Sequence, residues 1–195
     1  MLTLQELFQG TLRDIYYAET TIIKGLTKMT RKAASEQLAA ALQARLDISE
    51  SHVERLEKIF EVIGAPTKSK KCEAIHGIVD ESEKIMKKAK DRMVRDAAML
   101  ASAQGIAHYE ISRYGTLRAW AEQLHLPVAA QLLDEAVHEA KEFDSKLSAL
   151  ALAEINVNAE KSESEDENVD TESRSGSAPR VKKTKPAPNE GLANE

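Results

Sequence analysis

The chain has 195 residues, a formal net charge of −5 and one cysteine. That length allows one domain plus a remainder, the acidic balance removes any global reason to expect a nucleic-acid partner, and no apolar run approaches the roughly 18 to 20 residues of a membrane span. Cys72 alone cannot close an intrachain disulfide, and the N-terminus has no basic segment followed by an apolar block, so a reducing, cytoplasmic setting is expected.

The first helix is predicted over about residues 3 to 30, with Leu4, Phe8, Leu12, Ile15, Ile22, Leu26 and Met29 on one stripe. Glu19 falls inside that stripe. The second runs from an N-cap at Ser35 to Ile63, with Leu38, Leu42, Leu46, Ser49, Val53, Leu56, Phe60 and Ile63 inward, and Gly64 and Pro66 stop it. The short linker makes these two helices antiparallel neighbours. A basic loop over residues 65–71 leads into a weaker helical segment, about 73 to 88, with Ala74, Ile78, Glu81 and Ile85 on one side. This segment is the crossover to the third long helix.

The third long helix covers about residues 91 to 124. Leu100, Ala103, Ala107, Ile111, Tyr114 and Ala121 share a stripe, and Glu110 lies on its edge. Pro127, at a first-turn position where its missing N–H costs nothing, opens the fourth. That helix continues to about Ile155 with Leu132, Leu133, Ala136, Ala140, Phe143, Leu147 and Leu150 inward. Two hairpins joined by a crossover give an all-α, ferritin-like four-helix bundle over residues 1–155. Residues 156–195 change to an acidic, then basic, composition with almost no large apolar side chains, so a disordered tail is expected. Arg180, Lys182, Lys183 and Lys185 would be its contact residues if it binds a partner.

A carboxylate on an apolar face needs a partner. If the first two helices turn back near residue 33, Glu19 is level with about residue 47. If the last two turn near 125, Glu110 is level with about 141. His52 sits at the edge of the second helix's face, and Glu139 and Asp144 flank the fourth's. Carboxylates with an imidazole suit iron, manganese or zinc, and bundles of this type hold dinuclear metal. Glu135 and His138 have Glu-x-x-His spacing but point away from the core. His108 is also off the inward stripe. Glu19 has a competing partner in Arg45, at nearly the same height. Tyr16, Tyr17, Tyr109 and Tyr114 read as packing residues and Cys72 as an inert thiol. No nucleophile, phosphate loop or cofactor fingerprint is visible.

Asp14-x-Tyr16-Tyr17-Ala-Glu19, His52-Val-Glu-Arg-Leu56, Lys71-Cys72-x-Ala74, Arg95-Asp-Ala-Ala98, His108-Tyr-Glu-Ile-x-x-Tyr-Gly-Thr116 and Lys141-x-x-Asp144-x-Lys146-Leu together resemble the YciE/YciF family of ferritin-like bacterial stress proteins. The resemblance covers about residues 3 to 155. It implies a homodimeric bundle related to rubrerythrins and ferritins, a carboxylate-rich metal site and a role in stress. It also implies ligands this chain lacks: the family carries His at Arg45 and Glu at Ile48, Ala107, Ala140 and His76. Glu19, Glu110, Glu139 and Asp144 survive, with His52.

Two expectations follow. In the first, Glu19, His52, Glu110 and Asp144 hold iron or manganese (zinc is also compatible) in a depleted site that handles iron or peroxide. Any catalysis would then be of the di-iron oxidoreductase type. In the second, no metal binds, an Arg45–carboxylate pair replaces the site, and the protein is a structural or interaction module. Either way a cytoplasmic homodimer without membrane or nucleic-acid partners is expected, and the tail's partner is open.

Overall fold

The computed structural model describes residues 1–162. Among the described residues five α-helices form: α1 (Leu4–Thr30), α2 (Glu36–Val62), α3 (Glu73–Lys88), α4 (Arg92–Gln123) and α5 (Pro127–Leu150). No strand occurs among the described residues. Their boundaries follow from local chemistry. Thr3 and Glu6 form a reciprocal capping box at α1. Ser35 accepts from Leu38 N–H at α2, and Asp91 accepts from Met93 and Val94 N–H at α4. Gly64 (φ 64°) ends α2 in the left-handed region, and His125 (φ 57°) does the same after α4. Both ends close with the paired carbonyl bonds of this type of cap.

The long helices form a ring: α1 packs on α2 and α4, and α5 packs on α2 and α4. Helix α3 lies against α1 and α4. The core runs the length of the ring through Leu12, Ile15, Ile22, Leu26, Leu38, Leu42, Leu56, Phe60, Leu117, Leu133 and Leu147. Buried Asp96 of α4 ties the first hairpin to the second, accepting from Ala34 N–H (3.0 Å) and Ser35 N–H (2.6 Å). Buried Cys72, at the start of α3, lies 3.1 Å from Tyr109 OH.

Three expectations shift. The inward face of α3 is Ile75, Ser82 and Met86, with Val79 half-buried; Ala74, Glu81 and Ile85 are exposed and Ile78 is half-buried. Helix α3 carries two apolar stripes, one residue out of phase, and periodicity alone does not choose between them. In α2, Leu46, Val53 and Ile63 are only half-buried, because the helix is rotated to bury Arg45 and His52. The C-terminal helix also continues past the change of composition. A π-type turn over Ala151–Ile155 is followed by helical residues 156–162. Ile155 is buried, Glu154 accepts from Ser35 Oγ (2.6 Å) and Ser162 Oγ donates to Asp91 (3.0 Å). The rest of the expected tail lies outside the described residues.

Candidate functional site

The middle of the ring is polar. Helix α2 presents Arg45, Ser49 and His52 at i, i+4 and i+7, a single stripe. Helix α1 brings Glu19, α4 brings Glu110 and Tyr114, and α5 brings Glu139. Glu19, Arg45, Ser49, His52, Glu110 and Tyr114 are all buried. Arg55, one turn beyond His52, reaches the same cluster from its rim.

His52 is the hub. Its Nδ1 lies 3.0 Å from Glu19 Oε1, and its Nε2 lies 2.8 Å from Glu139 Oε2. Tyr114 OH donates to Glu19 Oε1 at 2.6 Å, and its ring meets the imidazole edge-on. Arg55 donates twice to Glu139, at 2.6 and 2.8 Å. Arg45 pairs with Glu110 through Nη2 and lies over the Phe143 ring, 5.5 Å from its centre. Within this cluster five buried polar atoms have no protein partner: Glu19 Oε2, Arg45 Nε and Nη1, Ser49 Oγ and Glu110 Oε2.

The charges sort themselves. Burial pushes both acids up. At Glu19 the charge of His52, its hydrogen bond and Arg45 outweigh that and hold the carboxyl at about 2. At Glu110 burial wins, helped by the neighbouring Glu19 charge against Arg45, and the carboxyl rises to about 8. The proton of this acid pair therefore stays on Glu110. Burial pulls His52 down, but Glu19 and the bonds to Glu139 and Glu19 raise it to about 9. Burial raises Glu139, and the bonds from His52 and Arg55 bring it to about 2. Burial and Glu19 push Tyr114 well up, so it remains a donor.

Donor atoms of Glu19, His52 and Glu110 lie within 4.8 Å of one another. These three of the four sequence-predicted ligands come together. Asp144 does not: it is taken by Gln104 Nε2 at 3.3 Å and faces His108 Nε2 at 3.3 Å. Glu139 occupies its place. Five residues of helix separate the two by about 140° around the axis, so only one can face α2. Glu135 and His138 are exposed, as expected. Arg45 pairs with Glu110 rather than with Glu19, whose Oε1 is engaged by His52 and Tyr114. Sequence reasoning passed over Arg55 and took Tyr114 for packing. Their spacing, three beyond His52 and four beyond Glu110, was the available signal.

A dinuclear cage does not fit this donor set. Such a cage draws on about six protein ligands, and here three converge. Both ring nitrogens of His52 face carboxylates, which makes it an imidazolium with no free lone pair. The Arg45 guanidinium holds a fixed positive charge on Glu110.

Residues 3–160 match the family described as Domain of unknown function (DUF892). The chain is 37% identical over 153 residues to Protein YciF of Escherichia coli K12, covering 78% of this chain and 92% of that protein. The crystal structure of the E. coli stress protein YciF superposes with a TM-score of 0.76 at 37% identity, over 80% of this chain and 99% of that one. YcfI from Rhodopseudomonas palustris gives 0.74 at 38% identity, over 75% and 94%. A Xanthomonas campestris protein at 14% identity and TM-score 0.67 shares the fold.

Proposed function

We propose a role from the premise that this chain belongs to the DUF892 family and is a homologue of the E. coli stress protein YciF. It is a stress-response bundle whose central carboxyl groups are neutralised by the protein's own cations, so that the cluster is structural. The observation that carries this reading is the engagement of both His52 nitrogens by carboxylates, alongside Arg45 on Glu110. Three cations, Arg45, His52 and Arg55, face two ionised carboxylates, Glu19 and Glu139, and Glu110, which keeps its proton. A divalent ion would find no uncompensated negative charge. Replacing metal by fixed cations keeps the bundle assembled when iron is scarce or oxidised.

A second reading is one iron or manganese ion held by Glu19, His52 and Glu110, favoured by their convergence within 4.8 Å. It requires His52 to lose its proton and Arg45 to leave Glu110. The test is metal content. Untagged protein is incubated with Fe(II), Mn(II) or Zn(II), desalted and analysed by plasma mass spectrometry, with Glu19→Ala and Glu110→Ala beside it. Near-zero metal in folded wild type is expected. One equivalent lost in both variants establishes the second reading, and two overturn both.

A cytoplasmic homodimer is part of the same proposal, supported by the resemblance, and sedimentation of the purified chain checks the dimer. No helix among the described residues is long and apolar enough to cross a membrane.

A further inference from the structure

The charge of the chain is unevenly spread. Its net value is −5, yet one end of the bundle is basic. The last turns of α1 and α3 and the first turns of α4 meet there. Lys28 Nζ of α1 lies 2.5 Å from Glu83 of α3, and Asp96 of α4 holds the Ala34 and Ser35 N–H groups that follow α1. Two short stretches, 31–32 and 88–95, bring Arg31, Lys32, Lys88, Lys90, Arg92 and Arg95 to this end. Five of them are exposed; Arg95 is half-buried, and its Nε has no protein partner. None of the six forms an ion pair among the described residues.

The neighbouring acids are engaged elsewhere. Asp91 accepts from Met93 and Val94 N–H and from Ser162 Oγ. Glu154 accepts from Ser35 Oγ, and Glu83 pairs with Lys28. Glu36, in the first turn of α2, stays exposed. Helix electrostatics do not account for the arrangement. A helix dipole favours Lys88 in the last turn of α3 but disfavours cations at the start of α4, where Arg92 and Arg95 stand and the first turn holds no acid. The loop over 65–71 is basic too, but its Lys70 and Lys71 pair with Asp14 and Glu73. The unmatched positive charge is therefore at the α1–α3–α4 end, and it calls for an anion with several charges.

Arginine and lysine together suit phosphate oxygens. Helix α1 packs on α4, and packed helix axes lie about 8–10 Å apart. The two cation clusters thus span a distance close to the ~12 Å width of a duplex major groove. Neither 28–40 nor 83–100 contains an aromatic residue, so stacking with the bases of an unpaired strand has no platform. Lipid surfaces draw on an apolar face rich in Trp, Phe and Leu, and the large apolar residues exposed on these stretches are Ile85 and Met93.

We propose that this end of the bundle binds the phosphate backbone of duplex nucleic acid without regard to sequence, Arg31 and Lys32 on one side and Lys88, Lys90, Arg92 and Arg95 on the other. The binding is separate from the central cluster and does not depend on whether metal enters it.

The probe is a fluorescent DNA duplex of mixed sequence, titrated with the full chain in EDTA and read by anisotropy. Over about 50–200 mM salt the affinity should fall with a log–log slope of roughly −0.9 per phosphate contacted. Lys88→Gln, Lys90→Gln and Arg92→Gln combined should weaken binding about tenfold or more at low salt and flatten the slope by about 3, one for each lost contact. Lys68→Gln, Lys70→Gln and Lys71→Gln combined remove the same charge from the loop and should change neither. Residues 163–172, outside the described residues, carry six acids that compete with phosphate; Glu163→Gln, Glu165→Gln, Asp166→Asn and Glu167→Gln combined should tighten binding. Wild-type affinity and slope in the Lys88, Lys90 and Arg92 variant, with its circular dichroism still helical, overturn the proposal. So does a loss of binding on neutralising Arg180, Lys182, Lys183 and Lys185 while the Lys88, Lys90 and Arg92 variant still binds. Binding to phosphatidylserine–phosphatidylcholine vesicles without binding to the duplex assigns the end to lipid and overturns it as well.

Discussion

Raising the pH should loosen the bundle well inside the range where most proteins are stable, and His52 sets the size of the effect. Its folded-state pKa, raised to about 9 against an ordinary 6.5, comes from Glu19 and Glu139 overcoming burial. A group whose folded pKa is raised gives stability that is fully present below 6.5 and is lost as pH climbs through 9. The difference is worth about 3 kcal/mol. Glu110, raised to about 8, acts in the same direction between 4.5 and 8, because the folded chain keeps a proton there that the unfolded chain has released. Glu19, held at about 2, does the opposite: its contribution is present above 4.5 and lost as pH falls through 2. The predicted optimum is therefore near pH 5. Between pH 6 and pH 10 His52 and Glu110 each contribute about 3 kcal/mol, and for a domain of this size ~1 kcal/mol moves Tm by about 2–4 °C, so Tm should drop by about 12–24 °C. Thermal melts at 222 nm across pH 4–10 measure it, with His52→Gln as the control. That variant should lose the His52 share of the drop, about half, and keep the share due to Glu110. A wild-type Tm constant from pH 6 to 10, or an unchanged slope in His52→Gln, refutes the assignment of His52 as a buried imidazolium.

Two further substitutions bear on the same frame. Arg45→Met leaves the protonated Glu110 carboxyl buried without its donor and should cost about 1–3 kcal/mol, whereas Arg45→Met with Glu110→Leu should recover most of that loss; urea melts of both, closed into a double-mutant cycle, would show additive effects if the pair were not coupled. Asp96→Ala removes the acceptor of the Ala34 and Ser35 N–H groups and should lower stability by about 2–3 kcal/mol, the range for bonds to a charged group. A loss within error of zero in urea would mean those bonds do not hold the α1–α2 turn.

The four long helices were legible because each has a strong stripe and a chemical stop: Thr3 with Glu6, Ser35, Asp91, Pro127 and Gly64 are local signals that tertiary packing did not need to override. The rotation of α2 was less legible. Its apolar residues alone would turn Leu46 and Val53 inward, but the carboxylates of α1, α4 and α5 draw Arg45 and His52 into the core instead. Such a preference belongs to no single helix, so hydrophobic periodicity cannot contain it. Asp144 failed for the same reason in reverse. It is a carboxylate at the right height on the wrong side of α5, and only the facing position of α2 decides between it and Glu139. Helix α3 has two equivalent stripes, and the seat on α1 and α4 chooses one of them.

The cluster also explains how a bundle of mostly Leu, Ile and Ala finds one register. Sliding one helix by a turn, about 5.4 Å, would still place apolar residues against apolar residues along most of the core, at a modest cost in packing. It would break the polar bonds outright. Glu19–His52 joins α1 to α2, Glu19–Tyr114 joins α1 to α4, Arg45–Glu110 joins α2 to α4 and His52–Glu139 joins α2 to α5. Every long helix is held, α2 by three of the four bonds. A slipped α2 would strand Arg45 and His52 among apolar side chains, and unpaired buried charges are the most costly groups a core can contain. An apolar replacement of the whole cluster could equal its stability, but it would discriminate less between neighbouring registers. On the proposed reading Arg45 and His52 perform this task with fixed cations in place of a metal ion.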